Sequence, residues 1–208
     1  MKGLLLKDWY MTKKYCRAYL LIAVVFVAVS FFSDGDMFFT FYPCLLCGMI
    51  PVNLLAYDER SRWIQYSETL PYSRAQIVSS KYLIGLMAQM AMLLVTGIVQ
   101  GIRMSIGGTL RLDEFSMLML LMLIISTLSP SICLPFVFKL GVEKGRIAYY
   151  LMVGMVCAGS VIASSVFRGG LETEIRPNAV LAIVAAAGIA LYALSWYLSV
   201  KFYQAREI

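Results

Sequence analysis

The chain contains no histidine. That excludes Ser-His and Cys-His catalytic pairs, His-ligated zinc or haem, and histidine proton relays. Only 14% of the residues are charged, against about 25% in soluble domains. No G-x-x-x-x-G-K-[ST] phosphate loop occurs, so the chain is not expected to hydrolyse nucleotides or to be an enzyme. The cysteines, Cys16, Cys44, Cys47, Cys133 and Cys157, lie in or beside apolar runs, a pattern unlike a disulfide framework. No feature points to a metal, a bound cofactor or nucleic acid.

Apolar sequence is what the chain has in quantity. Of 208 residues, 61% are hydrophobic, and the mean hydropathy is +0.78. Six uncharged runs stand out: Ala18–Ser33, Met37–Tyr57, Tyr82–Ile102, Phe115–Phe138, Ile147–Phe167 and Pro177–Val200. At about 1.5 Å per residue, a helix of about 21 residues covers roughly 31 Å, the thickness of the hydrocarbon core. Helix is required, because lipid cannot satisfy free backbone groups and these runs lack the alternation of barrel strands. The expectation is an all-α, polytopic membrane protein with six transmembrane helices, forming a single transmembrane domain over residues 1–208.

Six spans put both termini on one side. The N-terminus, 58–81, 139–146 and the C-terminus carry 14 Lys and Arg, while 34–36, 103–114 and 168–176 carry 4. The positive-inside rule places both termini on the cytoplasmic side of the cell membrane. A cleaved signal peptide over 1–30 would leave an odd span count, so retention is expected.

The opening MKGLLLKDWYMTKKYCR puts Lys2, Lys7, Lys13, Lys14 and Arg17 within an arc of about 140° on a helical wheel, with Leu4, Leu5, Trp9, Met11 and Tyr15 largely opposite. It reads as an interfacial amphipathic helix over 1–17, its surface residues being Lys2, Lys7, Trp9, Lys13, Lys14 and Arg17. An ordinary basic flank is the plainer alternative.

The loop 58–81 is the largest piece outside the runs. Residues 58–69 suit a short helix with Trp63, Tyr66 and Leu70 on one face, and Pro71 ends it. Ser73 and Gln76 form a capping-box pair that starts the next helix. Trp63 and Tyr66 suit either a docking surface or the lipid interface.

Inside the runs the motifs are weak. Cys44-Leu-Leu-Cys47 reads as packing, since redox or metal roles need a polar setting. Gly97-x-x-x-Gly101 suits helix contact within or between chains. Pro43, Pro51, Pro130 and Pro135 predict kinks. Asn53, Gln89, Gln100, Ser126, Ser129 and Ser131 are the polar candidates for an interior path. No Asp, Glu, Lys or Arg falls inside a run, which argues against an ion-driven carrier and for an energy source outside the chain.

The start MKGLLLKDWYMTKKY, Asp58-Glu59 after the second run, Ser67-Glu-Thr-Leu-Pro-Tyr-Ser-Arg74 and Ser80-Lys-Tyr-Leu83 resemble short bacterial ABC-2 type permeases. The branch that looks most similar includes exporters of phenol-soluble modulins and transporters linked to bacteriocins and antibiotics. The resemblance implies a half-transporter that pairs with a second copy or a sister permease. A separate ABC ATPase, carrying ATP and Mg, would power it. The loop after the second span would hold a cytoplasmic coupling helix. Carried over, Asp58, Glu59, Arg62, Trp63, Tyr66, Glu68 and Leu70 lie at or near the ATPase contact, with Pro71, Ser73 and Arg74 at its exit, and 1–17 is the elbow helix. The expected function is export of amphipathic peptides or antimicrobial compounds. The alternative is a non-transporting immunity or scaffold protein that binds a toxic peptide.

Overall fold

The computed structural model describes residues 2–32, 37–67, 69–108, 111–145 and 177–205, with scattered positions between 147 and 154. The elements of the described residues are all α-helices: α1 Lys2–Tyr15, α2 Arg17–Phe32, α3 Met37–Gly48, α4 Ile50–Arg60, α5 Trp63–Ser67, α6 Arg74–Ile106, α7 Leu112–Leu140 and α8 Pro177–Ala205. Four helical stretches are long and apolar enough to cross a membrane: Phe38–Arg60, Arg74–Ile106, Leu112–Leu140 and Ala185–Ala205. The pair α1 and α2, bent by 67° at Cys16, supplies a fifth if it is counted as one span. That makes four to five among the described residues; the fifth apolar run, 147–167, lies outside them apart from isolated positions. At 16 residues, α2 is about 24 Å long, short for a bilayer without its neighbour.

Local chemistry sets the helix ends. Ser73 is extended, accepts from the Gln76 backbone N–H, and has its own N–H bonded by the Gln76 side chain. This capping box starts α6, which then runs for 33 residues, or about 50 Å. That is longer than the hydrocarbon core of about 30 Å. The predicted helix over 58–69 is instead two pieces. Arg62 takes a positive φ of 55°, which breaks the α-helical path between α4 and the short α5. The second span is also interrupted, between α3 and α4 at Gly48–Met49, just ahead of Pro51. By contrast α7 runs unbroken through Pro130 and Pro135.

Two apolar clusters form the core. One gathers Cys16, Ala23, Val27, Leu46, Cys47, Ile50, Leu54, Ile84 and Met92 from α2, α3, α4 and α6. Cys44 and Cys47 are free thiols buried in this interior, as the packing reading expected. The other joins Leu4 of α1 to Val52 and Leu55, Val78 and Tyr82, Leu134 and Phe138, and Tyr203 of α8. The six polar candidates are all buried. Gln100 donates to Ser30 Oγ at 2.7 Å and Thr40 Oγ1 at 3.0 Å, and Gln89 donates to the Ser126 carbonyl. The Gly97 and Gly101 face meets Met119 and Phe115 of α7, a contact within the chain.

Gly48 is a point of close approach between α3 and α7. A Cβ there would lie 2.6 Å from Ser129 Oγ and 2.9 Å from its Cβ. Overpacking of this kind costs about 1–3 kcal/mol. Gly48→Val should therefore lower the thermal midpoint of the detergent-solubilised protein, and Ser129→Gly in the same chain should restore most of it. An unchanged midpoint would mean that α3 and α7 are not packed at this point.

Candidate functional site

The region that sequence singles out, the α4–α6 loop, stands on a buried cluster of four charges. Asp8 comes from α1, Asp58 from the end of α4 and Lys81 from the second turn of α6. Lys81 Nζ lies 2.6 Å from Asp8 Oδ1 and 2.6 Å from Asp58 Oδ2. Lys7 Nζ lies 2.6 Å from Asp58 Oδ1 and 3.8 Å from Asp8 Oδ1. Ser80 donates to Asp8 Oδ2 at 3.2 Å. The Asp8, Lys81 and Asp58 side chains are 1%, 2% and 3% exposed, and Lys7 is 23% exposed. Two cations and two carboxylates cancel, and each carboxylate oxygen of Asp58 has its own ammonium, which is the condition for burying charge at tolerable cost. Burial and the facing Lys81 ammonium pull the Lys7 pKa below its ordinary value, with Asp58 opposing.

The loop rests on this cluster. Lys7 Nζ sits 4.0 Å from the Trp63 ring centroid, a cation–π contact. Trp63 packs against the core cluster and, with Asp58, Glu59, Ser67 and Tyr203, lines a small enclosed cavity of about 10 Å³. The Trp63 and Tyr66 rings are 5.4 Å apart, but Tyr66 is 57% exposed. The two aromatics therefore face different environments.

The residues expected at a partner contact divide accordingly. Arg62, Tyr66 and Pro71 are exposed; Trp63 and Leu70 are half-buried. Asp58 is a correction: it lies under the loop, held by two lysines, and presents no surface to a partner. Glu59 and Arg74 act as internal ties. Glu59 Oε2 accepts from the Val142 N–H at 3.2 Å. The Arg74 guanidinium donates to the carbonyls of Tyr203 and Gln204 at 3.3 and 3.2 Å, at the C-terminal end of α8, where a cation also offsets the helix dipole. Glu68 lies outside the described residues.

The membrane-surface set needs one correction as well. Lys2, Trp9, Lys13, Lys14 and Arg17 are exposed, and Lys13 lies 5.1 Å from the Trp9 ring. Lys7 instead turns inward. The buried stripe of α1 is Leu4, Asp8 and Thr12, one helical face at i, i+4 and i+8. That face docks on α4 and α6, so α1 is fastened to the bundle rather than only floating at an interface. Asp8, Ser80 and Lys81 fall in the segments that carry the family resemblance, but the sequence reading assigns them no role. The available signal was a charge inside an otherwise buried helical stripe, Ile77–Lys81–Ile84 on α6 and Leu4–Asp8–Thr12 on α1.

These features bring α1, the end of α4 and the start of α6 together at one buried charge cluster. The family model described as ABC-2 family transporter protein matches residues 3–204. No curated protein and no solved structure matches the chain. With nearly its whole length covered by that model and several membrane-length apolar helices, the chain belongs to the ABC-2 transporter family and is a multi-pass membrane component of a transporter.

Proposed function

We propose that the chain is the permease subunit of an ATP-driven exporter of amphipathic peptides or antimicrobial compounds. Two such bundles, identical or sister chains, enclose the path, and a separate ABC ATPase supplies ATP hydrolysis with its own ATP and Mg. The loop carrying α5 faces the cytoplasm with both termini, and six spans cross the membrane. The ATPase docks against the exposed side of the loop, with Arg62 and Tyr66 at the contact and Arg60 and Gln65 beside them.

The observation that carries this reading is the mechanical connection of the loop. A push on α5 reaches Trp63, then Lys7, then the Asp58–Lys81–Asp8 chain, which ties together α1, the end of the second span and the start of α6. A nearly dry, fully paired cluster resists separation, because parting any pair strands a charge. The three elements therefore move as one body, as rigid-body rocking between inward and outward states requires.

A photo-crosslinking amino acid at position 65, in cells that express the permease with its ATPase, should capture the ATPase. A probe at Thr173 should label from outside intact cells, and one at position 65 should not. Crosslinks from 65 to lipid alone, or labelling of 65 from outside, would overturn the docking and the topology respectively. Retention of a toxic peptide without ATPase or transport would instead support the immunity role.

A further inference from the structure

An interfacial amphipathic helix meets lipid through its apolar side, which in α1 would be Leu4, Leu5 and Met11. In the fold that side belongs to the protein: Leu4 lies in one apolar cluster and Met11 packs against the other. The face left exposed is a different one. It carries Lys2, Leu6, Trp9, Tyr10 and Lys13, spaced i, i+4, i+7, i+8 and i+11, with Lys14 on its shoulder. Asp8, the one acid in α1, is buried on the opposite side. Every charge on the outer face is therefore positive.

Charge, exposure and position point to the same cover for this face. Among the described residues, Lys2, Lys13 and Lys14 have no carboxylate partner. Lys13 and Lys14 lie 5.1 Å and 5.4 Å from the Trp9 and Tyr15 rings, contacts that orient the ammonium groups and leave N–H donors for a phosphate. Leu6, Trp9 and Tyr10 are 57%, 43% and 64% exposed. Side chains of this kind gain little from bulk water, and Trp and Tyr concentrate at headgroup depth. Position agrees. The chain bends by 67° between α1 and α2, and α2 exposes Leu21, Val24 and Val25 as a lipid-facing helix does. With α2 crossing the bilayer, α1 lies nearer to the membrane plane than to its normal.

We infer that the outer face of α1 gathers anionic phospholipid headgroups, and that this contact holds the helix against the bundle. Lys13 and Lys14 meet the headgroup charge, and Trp9, Tyr10 and Leu6 settle between the headgroups. The opposite face of the same helix supplies Asp8, with Lys7 beside it, to the buried charge cluster, so lipid charge on one side steadies the clamp on the other. The contact is one of charge and aromatic rings and not of a greasy helix side, and it depends on which headgroup is present. It involves only this chain and the bilayer and stands apart from the export reading.

The test uses the full-length chain, without any ATPase, in phosphatidylcholine nanodiscs. A small share of the lipid is replaced by brominated phosphatidylglycerol or, as control, by the same share of brominated phosphatidylcholine. Bromine quenches tryptophan at short range, and the chain has only Trp9, Trp63 and Trp196. A basic residue at an anionic surface is worth about fivefold in partition, so the anionic lipid should quench about two- to fivefold more than the zwitterionic one. Trp9→Phe should remove that difference. Lys13→Gln with Lys14→Gln should remove it too, whereas Lys13→Arg with Lys14→Arg should keep it, and high salt should shrink it. Unlabelled phosphatidylglycerol should raise the thermal midpoint of the parent but not of the glutamine variant. In pure phosphatidylcholine the two should melt together, since both lysines are exposed. Equal quenching by the two lipids overturns the inference and leaves this face to a protein partner. A preference that survives Trp9→Phe or the glutamine pair also overturns it, as does a midpoint indifferent to phosphatidylglycerol.

Discussion

Lys81→Met should destabilise the protein by about 3–5 kcal/mol, the cost of breaking a buried ion pair by removing one partner. That is a large share of the roughly 5–15 kcal/mol that holds a typical domain folded. The reason is arithmetic on the cluster. Lys81 is shared between Asp8 and Asp58 at 2.6 Å each. Without it, two buried carboxylates are left with one ammonium, Lys7. That ammonium is 2.6 Å from Asp58 but 3.8 Å from Asp8, so the stranded charge is Asp8. Two rescues follow and are unequal. Adding Asp8→Asn to Lys81→Met leaves Asp58 paired with Lys7 and should recover most of the loss. Adding Asp58→Asn leaves Asp8 facing a more distant lysine and should recover less. Thermal unfolding and monodispersity in detergent rank the three variants. If Lys81→Met unfolds no earlier than the parent, the cluster is not a clamp and the relay through it falls.

The cluster also shows where reading the sequence stops short. The capping box of Ser73 and Gln76 was legible because it is a local pattern, complete within four residues. The apolar runs were legible because lipid imposes one rule on about twenty residues at a time. Asp58 and Lys81 sit at the edges of those runs and Asp8 in the charged opening before the first, where a charge is ordinarily solvated, and reading them as loop charges hides their contacts. Asp58 and Lys81 are 23 positions apart, and the pairs Lys7–Asp58 and Asp8–Lys81 are 51 and 73 apart, and no local spacing encodes that. Lys7 illustrates the same limit within one helix. The wheel groups it with Lys13 and Lys14 by sign, but what decides its direction is the Leu4–Asp8–Thr12 face against α6 and the waiting Asp58. The break at Arg62 was equally hidden, because nothing in Asp-Glu-Arg-Ser-Arg-Trp forbids a continuous helix; tertiary docking of Trp63 on Lys7 and the core overrides it.

Tyr66→Ala should reduce affinity for the ATPase about 30-fold, the equivalent of roughly 2 kcal/mol for an aromatic anchor, while leaving the permease itself as stable as before. Position separates it from its neighbour. Tyr66 is 57% exposed, so its removal takes little from the fold. Trp63 packs into the core and holds Lys7 under its ring at 4.0 Å, so Trp63→Ala should lower the thermal midpoint and weaken ATPase binding together, through the loop's foundation. Trp63→Phe keeps an aromatic face for the ammonium and should restore much of both. Stimulation of the ATPase by the permease should fall with Tyr66→Ala in proportion to lost binding, and with Trp63→Ala even at ATPase concentrations that saturate the complex, because the contact is then made but the push is no longer delivered to α1, α4 and α6. Equal loss of stability in both variants would place Tyr66 inside the fold rather than at a partner. Normal ATPase affinity of Tyr66→Ala would remove the exposed side of α5 as the docking surface.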